Sequence, residues 1–175
     1  MKRKNILILI ALFFSTSIFA QNPIQWMSWT EAVNANAKNP KLIFVDVYTD
    51  WCGWCKRMDA TTFQDPIIAS ILSKHFYAVK LDAEMKDTIM FNNHLFVNPN
   101  PEGRRSTHTL AASLLENQLS YPSFVVLTPQ FARLQILPGF KDAKAFEPIL
   151  AFFGEKAYDK MSYEEFMANF QSKIP

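Results

Sequence analysis

Two cysteines are the reactive residues of this 175-residue chain, and they stand three apart in Trp51-Cys52-Gly53-Trp54-Cys55-Lys56. A bridge between them closes a very short loop, so it restrains the unfolded chain little and adds little stability. A structural staple would join distant segments. Chemistry explains this spacing better: a thiolate attacks a disulfide sulfur, and a second thiol one helical turn away releases what the first has captured. Two thiolates also suit copper(I), which leaves a metal carrier as a competing binding role. A structural zinc site fits poorly, because His75, His94 and His108 are scattered and offer no compact second pair of ligands.

The neighbouring segments decide how such a pair is presented. Lys41 to Tyr48 is a nearly unbroken apolar, β-branched and aromatic run, the pattern of a central strand buried on both faces. Thr49-Asp50-Trp51 form a short loop, and Lys56 to Ala60 favour a helix reaching about Thr62. Cys52 is therefore expected at a helix N-terminus, where free N–H groups and the helix dipole stabilise a thiolate. Cys55 lies on the same helical face, so one sulfur is expected exposed and acidic with the other behind it. Trp51 and Trp54 sit at the surface of that site, and Trp54 is the expected substrate-contacting ring.

These residues resemble the thioredoxin superfamily. Trp-Cys-Gly-x-Cys-Lys is its active-site signature, with Trp54 where thioredoxins proper carry proline. Asp46, six residues before the first cysteine, matches the family's buried aspartate. Lys80, in Tyr77-Ala78-Val79-Lys80-Leu81-Asp82, matches the lysine that approaches it. Tyr121-Pro122-Ser123 matches the cis-proline loop, and Gly139 matches a glycine lining the substrate groove. The resemblance implies an α/β thioredoxin fold, a central mixed sheet flanked by helices. It also implies roles: Cys52 attacks, Cys55 resolves, Asp46 takes the proton from Cys55 directly or through a water, and Lys80 tunes Asp46. Trp51, Gly53, Trp54, Tyr121, Pro122 and Gly139 would meet the substrate. The cysteines are the redox group, so no cofactor or metal is expected. Among subgroups, the chain looks like exported thioredoxin-like proteins often filed as a domain of unknown function. A redox-inactive thioredoxin-like interaction module is a further alternative. Against copper carriage, a metal carrier has no use for a buried proton acceptor such as Asp46.

The rest of the chain reads coarsely. Ser28-Trp29-Thr30-Glu31 and Ser162-Tyr163-Glu164-Glu165 have capping-box spacing and open helices to about Lys38 and Gln171. Asp65-Pro66 opens a helix to His75, and Phe76 to Leu81 is a strand. Thr107 to Leu119 is expected helical. Phe124 to Thr128 and Phe131 to Leu137 form a hairpin, and Asp142 to Phe153 a helix that Pro148 kinks or breaks. That leaves about residues 83–106 as an insertion before the cis-proline helix. Asn92-Asn93 suits a tight turn between Thr88-to-Phe91 and His94-to-Val97, so a β-hairpin is expected there. Two placements are open for it: beside the active-site groove, or on the far edge of the sheet. His108 opens the following helix and is a candidate to approach the dithiol.

Composition bounds the function. An apolar share of 49% with sixteen phenylalanines supports one sizeable core, and four glycines exclude a low-complexity chain. Lys2-Arg3-Lys4, the apolar run Ile6 to Phe14, and Ala20 before Gln21 read as a signal peptide over residues 1–20. Cleavage near Ala20 would send residues 21–175, one thioredoxin-like domain, to the periplasm or another exported location, without stable membrane insertion. Without those three cations, 15 basic residues face 16 acidic ones. A body so nearly neutral has no electrostatic case for nucleic acid, and two adjacent arginines, Arg104-Arg105, do not make one. The expected partners are disulfide-containing substrate proteins and an upstream thiol donor or acceptor, engaged by a monomer.

Overall fold

The computed structural model describes residues 23–175; the signal-peptide reading lies outside them. In chain order the main elements are β1 (Trp26–Met27), α1 (Trp29–Lys38), β2 (Leu42–Tyr48), α2 (Gly53–Ala60), α3 (Pro66–His75), β3 (Phe76–Asp82), β4 (Ile89–Phe91), β5 (His94–Phe96), α4 (Thr109–Leu114), β6 (Ser123–Leu127), β7 (Arg133–Pro138), α5 (Ala143–Gly154) and α6 (Tyr163–Asn169). Five strands form one mixed sheet in the order β1-β3-β2-β6-β7, with β1, β3 and β2 parallel and β6 and β7 antiparallel to their neighbours. β2 is central, and Leu42 through Val47 are all buried. This is the double-sided burial that its apolar run predicts.

Strand alternation divides the core. Phe44 faces α2, α3 and α5 among Phe63, Leu72, Phe124, Phe146 and Leu150, with its ring stacked on Phe124 at 5.6 Å. Ile43, Val45 and Val47 face the other way, among Trp29, Leu81, Leu110 and Leu115. Asp46 shares the parity of Phe44, so its carboxyl points to the layer that contains α2. Its register partners are Lys80 on β3 and Phe124 on β6.

Local chemistry sets the helix ends. Both capping boxes form, at Ser28/Glu31 and at Ser162/Glu165, and Asp65 caps α3 through the amides of Ile67 and Ile68. Two expectations differ from the structure. α4 covers only Thr109–Leu114 rather than reaching Leu119, because Glu116 and Asn117 adopt left-handed φ values of 52° and 60° and turn the chain out of the helix. Pro148 does not break α5, which runs continuously over Ala143–Gly154. Its cost is offset where Phe146, Leu150 and Phe153 bury the helix against the sheet. The two-residue strand β1 has no counterpart in the sequence reading.

Between β3 and α4 the chain forms the antiparallel pair β4–β5, turning through Asn92 and Asn93 at φ 50° and 58°. The pair packs on the α1 side of the sheet, where Phe91 meets Trp29 at 5.2 Å and Phe131 at 4.8 Å. The limbs on either side of it go elsewhere, to the dithiol end of the sheet. Asn98 ties them together: its amide donates to the carbonyls of Glu84, Met85 and Ser106, and its oxygen accepts from Asn100 N–H and Ser106 Oγ. One limb of the insertion thus borders Trp51, while the hairpin covers the α1 face rather than an edge of the sheet.

Candidate active site

β2 ends at Tyr48, and a tight loop, closed by Cys52 N–H donating to Thr49 O at 3.0 Å, delivers Cys52 to the N-cap of α2. Cys52 and Cys55 form a disulfide, and Cys52 Sγ accepts the backbone N–H of Cys55 at 3.1 Å. The two cysteines are 4% and 3% exposed, so exposure does not tell them apart. What separates them is position. Cys52 caps the helix, where unsatisfied N–H groups stabilise negative charge, whereas Cys55 lies within its first turn.

Under α2 a buried carboxylate, Asp46, meets the half-buried Lys80 and Asp59. Asp46 Oδ2 is 2.8 Å from Lys80 Nζ, and Asp46 Oδ1 has no hydrogen-bond partner. Burial raises the Asp46 carboxyl from 3.8 to about 6, against the opposing pull of the Lys80 ammonium. Lys80 also pairs with Asp59 on α2, one turn beyond Cys55. Its ammonium lies over the rings of Tyr48 at 4.9 Å, Trp26 at 5.1 Å and Phe63 at 5.6 Å. Burial works against the charge on Lys80, but Asp46 and Asp59 outweigh it and raise its pKa. An ammonium so enclosed is fixed in place as a permanent positive neighbour of Asp46.

The remaining candidates lie along contacts made by the two tryptophans that adjoin the cysteines. The Tyr121–Pro122 peptide is cis, and Gly139, at φ 84°, donates its N–H to Pro122 O at 2.8 Å. Trp51 and Trp54 are half exposed, at 52% and 54%. Trp51 packs edge-on against Tyr121 at 5.9 Å, donates from Nε1 to Glu84 at 3.0 Å, and lies under the Arg105 guanidinium at 5.0 Å. Trp54 packs against Phe140 at 5.1 Å. Gly53 is exposed between them. A groove of about 470 Å³ borders Trp51, with Asp50, Glu84 and Arg105 in its walls.

His108 is not brought into this chemistry. It is fully buried, caps α4 by accepting Leu110 N–H at Nδ1, and contacts Asp87 O through Nε2. Burial lowers its pKa, so it is a neutral core histidine. Asp59, Phe140, Glu84 and Arg105 were missed. Only Asp59 left a signal, standing four residues after Cys55 and hence on the same helical face.

Comparison with known proteins agrees with the architecture. The model of the family described as "Protein of unknown function, DUF255" (Thioredox_DsbH) matches residues 14–98. Human spermatogenesis-associated protein 20 is 37% identical over 71 residues, which cover 40% of this chain and 9% of that protein. The chain thus spans only about a tenth of the length of the curated relatives it matches. A solved DsbH oxidoreductase superposes with a TM-score of 0.54 at 19% identity, covering 86% of this chain and 92% of that one. A thioredoxin from Thermus thermophilus gives 0.58 at 16% identity, covering 86% and 100%. The fold is that of the thioredoxin superfamily.

Proposed function

On this thioredoxin fold, we propose an exported thiol–disulfide oxidoreductase that reduces or exchanges disulfides in partner proteins through Cys52 and Cys55. The observation that carries the reading is the disulfide at the N-terminus of α2, over a buried aspartate raised to about 6 and paired with a caged lysine. A carboxyl of that acidity is poised to accept and return a proton near neutral pH. Stability has no use for it, since an unpaired buried carboxylate oxygen costs free energy.

In the reducing direction, the Cys52 thiolate attacks one sulfur of a partner disulfide. A Cys52–partner bond forms, and the other partner sulfur leaves as a thiolate and takes a proton from solvent. Asp46 removes the proton of Cys55 directly or through a water, and Lys80 holds the carboxylate ionised until then. The Cys55 thiolate attacks Cys52 Sγ, forms the intramolecular disulfide and expels the second partner thiolate, to which the proton returns. Two electrons pass from the dithiol to the partner, with one proton from Cys55 and one from solvent, and an upstream thiol donor restores the dithiol. Pro122 and its neighbours would pair with the substrate backbone, and Trp51, Gly53, Trp54, Tyr121 and Gly139 would form its bed.

Export rests on Lys2-Arg3-Lys4, the apolar run and Ala20; mass spectrometry of the mature chain would detect cleavage after Ala20. The activity is tested by turbidimetric reduction of insulin with a dithiol donor. Catalysis that disappears in Cys52→Ser supports the reading. A rate equal to that of the donor alone refutes it.

A further inference from the structure

The Trp54 flank of the disulfide carries an unused charge. The Arg57 guanidinium lies over two rings at once, Trp54 at 5.5 Å and Phe140 at 5.7 Å, and these rings are themselves in contact. No carboxylate pairs with Arg57 or with Lys141 among the described residues. Lys141 stands next to Phe140, donates to the carbonyls of Pro138 and Gly139 at 2.7 and 3.2 Å and lies over the Phe124 ring at 5.9 Å, so its ammonium is anchored and half-buried beside Gly139. The nearby acids are otherwise engaged: Asp59 with Lys80, and Asp142 as the N-cap of α5. A guanidinium stacked on aromatic faces keeps its N–H donors free at its rim and has already lost much of its side-chain freedom. The other flank is different. Around Trp51, Asp50, Asp82 and Glu84 balance Lys86, Arg104 and Arg105, and Lys86 is bound to Glu102.

We propose that the Trp54–Arg57–Phe140 ridge, with Lys141 beside it, docks the partner chain and selects segments with a carboxylate within a few residues of the reactive cysteine. The proposal rests on the oxidoreductase reading. The aromatic faces accept the apolar part of an extended segment, and the two unpaired cations accept its Asp or Glu. The chain as a whole is nearly neutral, so the preference is local to this ridge and is not a general attraction for acidic proteins.

The test uses the reduced mature protein in single-turnover exchange with two synthetic peptides. Each carries one cysteine as a 2-thiopyridyl mixed disulfide, flanked on both sides by Asp in one peptide and by Lys in the other. Release of thiopyridone reports the attack by Cys52. The Asp peptide should react roughly threefold to tenfold faster than the Lys peptide. That ratio should shrink as salt rises from about 0.02 M to 0.5 M and the charges are screened. Arg57→Gln should bring the ratio close to one, Arg57→Lys should restore part of it, and Lys141→Gln should lower it. Equal rates on both peptides in the parent protein, or a ratio unchanged in Arg57→Gln, overturn the proposal and leave the oxidoreductase reading intact; so would an arginine that only packs against the rings. Failure to react with either peptide would instead overturn the oxidoreductase reading, and the proposal with it.

Discussion

Replacing Asp46 by asparagine should make the protein more stable at neutral and alkaline pH, although it removes one half of a buried ion pair. The native carboxyl titrates at about 6 against an ordinary 3.8. Below about pH 4 both the folded and the unfolded chain hold the proton, so Asp46 contributes no pH-dependent term. Between those values the unfolded chain has released its proton while the native one retains it, and stability falls as pH rises. Above about pH 6 the full penalty is present, roughly 3 kcal/mol at about 1.4 kcal/mol per tenfold change in acidity. Asparagine does not ionise, so the variant escapes the decline. Its amide oxygen offers Lys80 a neutral acceptor in place of a charged one, a constant cost of about 1–2 kcal/mol. Lys80 retains Asp59 and its three aromatic neighbours.

The expected outcome is therefore a variant about 1–2 kcal/mol less stable than its parent near pH 4 and about 1–2 kcal/mol more stable near pH 8. Guanidinium denaturation of both oxidised proteins at the two pH values measures it, with midpoints compared at equal slope. A stability difference that does not change with pH would show that Asp46 titrates normally. A variant markedly less stable near pH 8 would show that the ion pair stabilises the fold. Either result refutes the assignment of burial as the dominant influence.

Asp59→Asn removes an anion that raises the Asp46 carboxyl and leaves Lys80 to Asp46 alone. The acid limb of the pH–rate profile for closing the Cys52–Cys55 disulfide should move to lower pH, and stopped-flow tryptophan fluorescence follows that step. Asn98→Ala strands the carbonyls of Glu84, Met85 and Ser106. It should cost about 1–3 kcal/mol and release Glu84 and Arg105 from Trp51, which fluorescence quenching by iodide would report as greater access to the ring.

How far the sequence was legible depended on whether a residue's setting is local. β2 could be read because burial on both faces demands an unbroken apolar run, and the N-caps Ser28, Asp65 and Ser162 because capping requires a particular side chain at a particular step. The proximity of Asp46 and Lys80 was legible only through resemblance; it depends on the parallel register of β2 and β3. Asp59 left only its spacing from Cys55, because an ordinary helical acid becomes part of the site only once Lys80 on β3 reaches it. The early end of α4 was hidden for another reason: Leu114, Leu115 and Leu119 extend an apolar pattern past the point where Glu116 and Asn117 take left-handed backbone angles. Arg57 carries no assigned role in the sequence beyond a helical position, and only the return of the chain after β7 puts Phe140 against it.

In the proposed cycle Cys52 forms the covalent link to the partner and Cys55 breaks it. Intact-mass spectrometry of the Cys55→Ser protein, incubated in its reduced form with an excess of a disulfide-containing protein and quenched with acid, tests this directly. A stable adduct equal in mass to one partner chain is expected, mapped by peptide digestion to Cys52. The corresponding Cys52→Ser protein should form none. Adducts of equal yield on both single-cysteine proteins, or no adduct on Cys52, would contradict it.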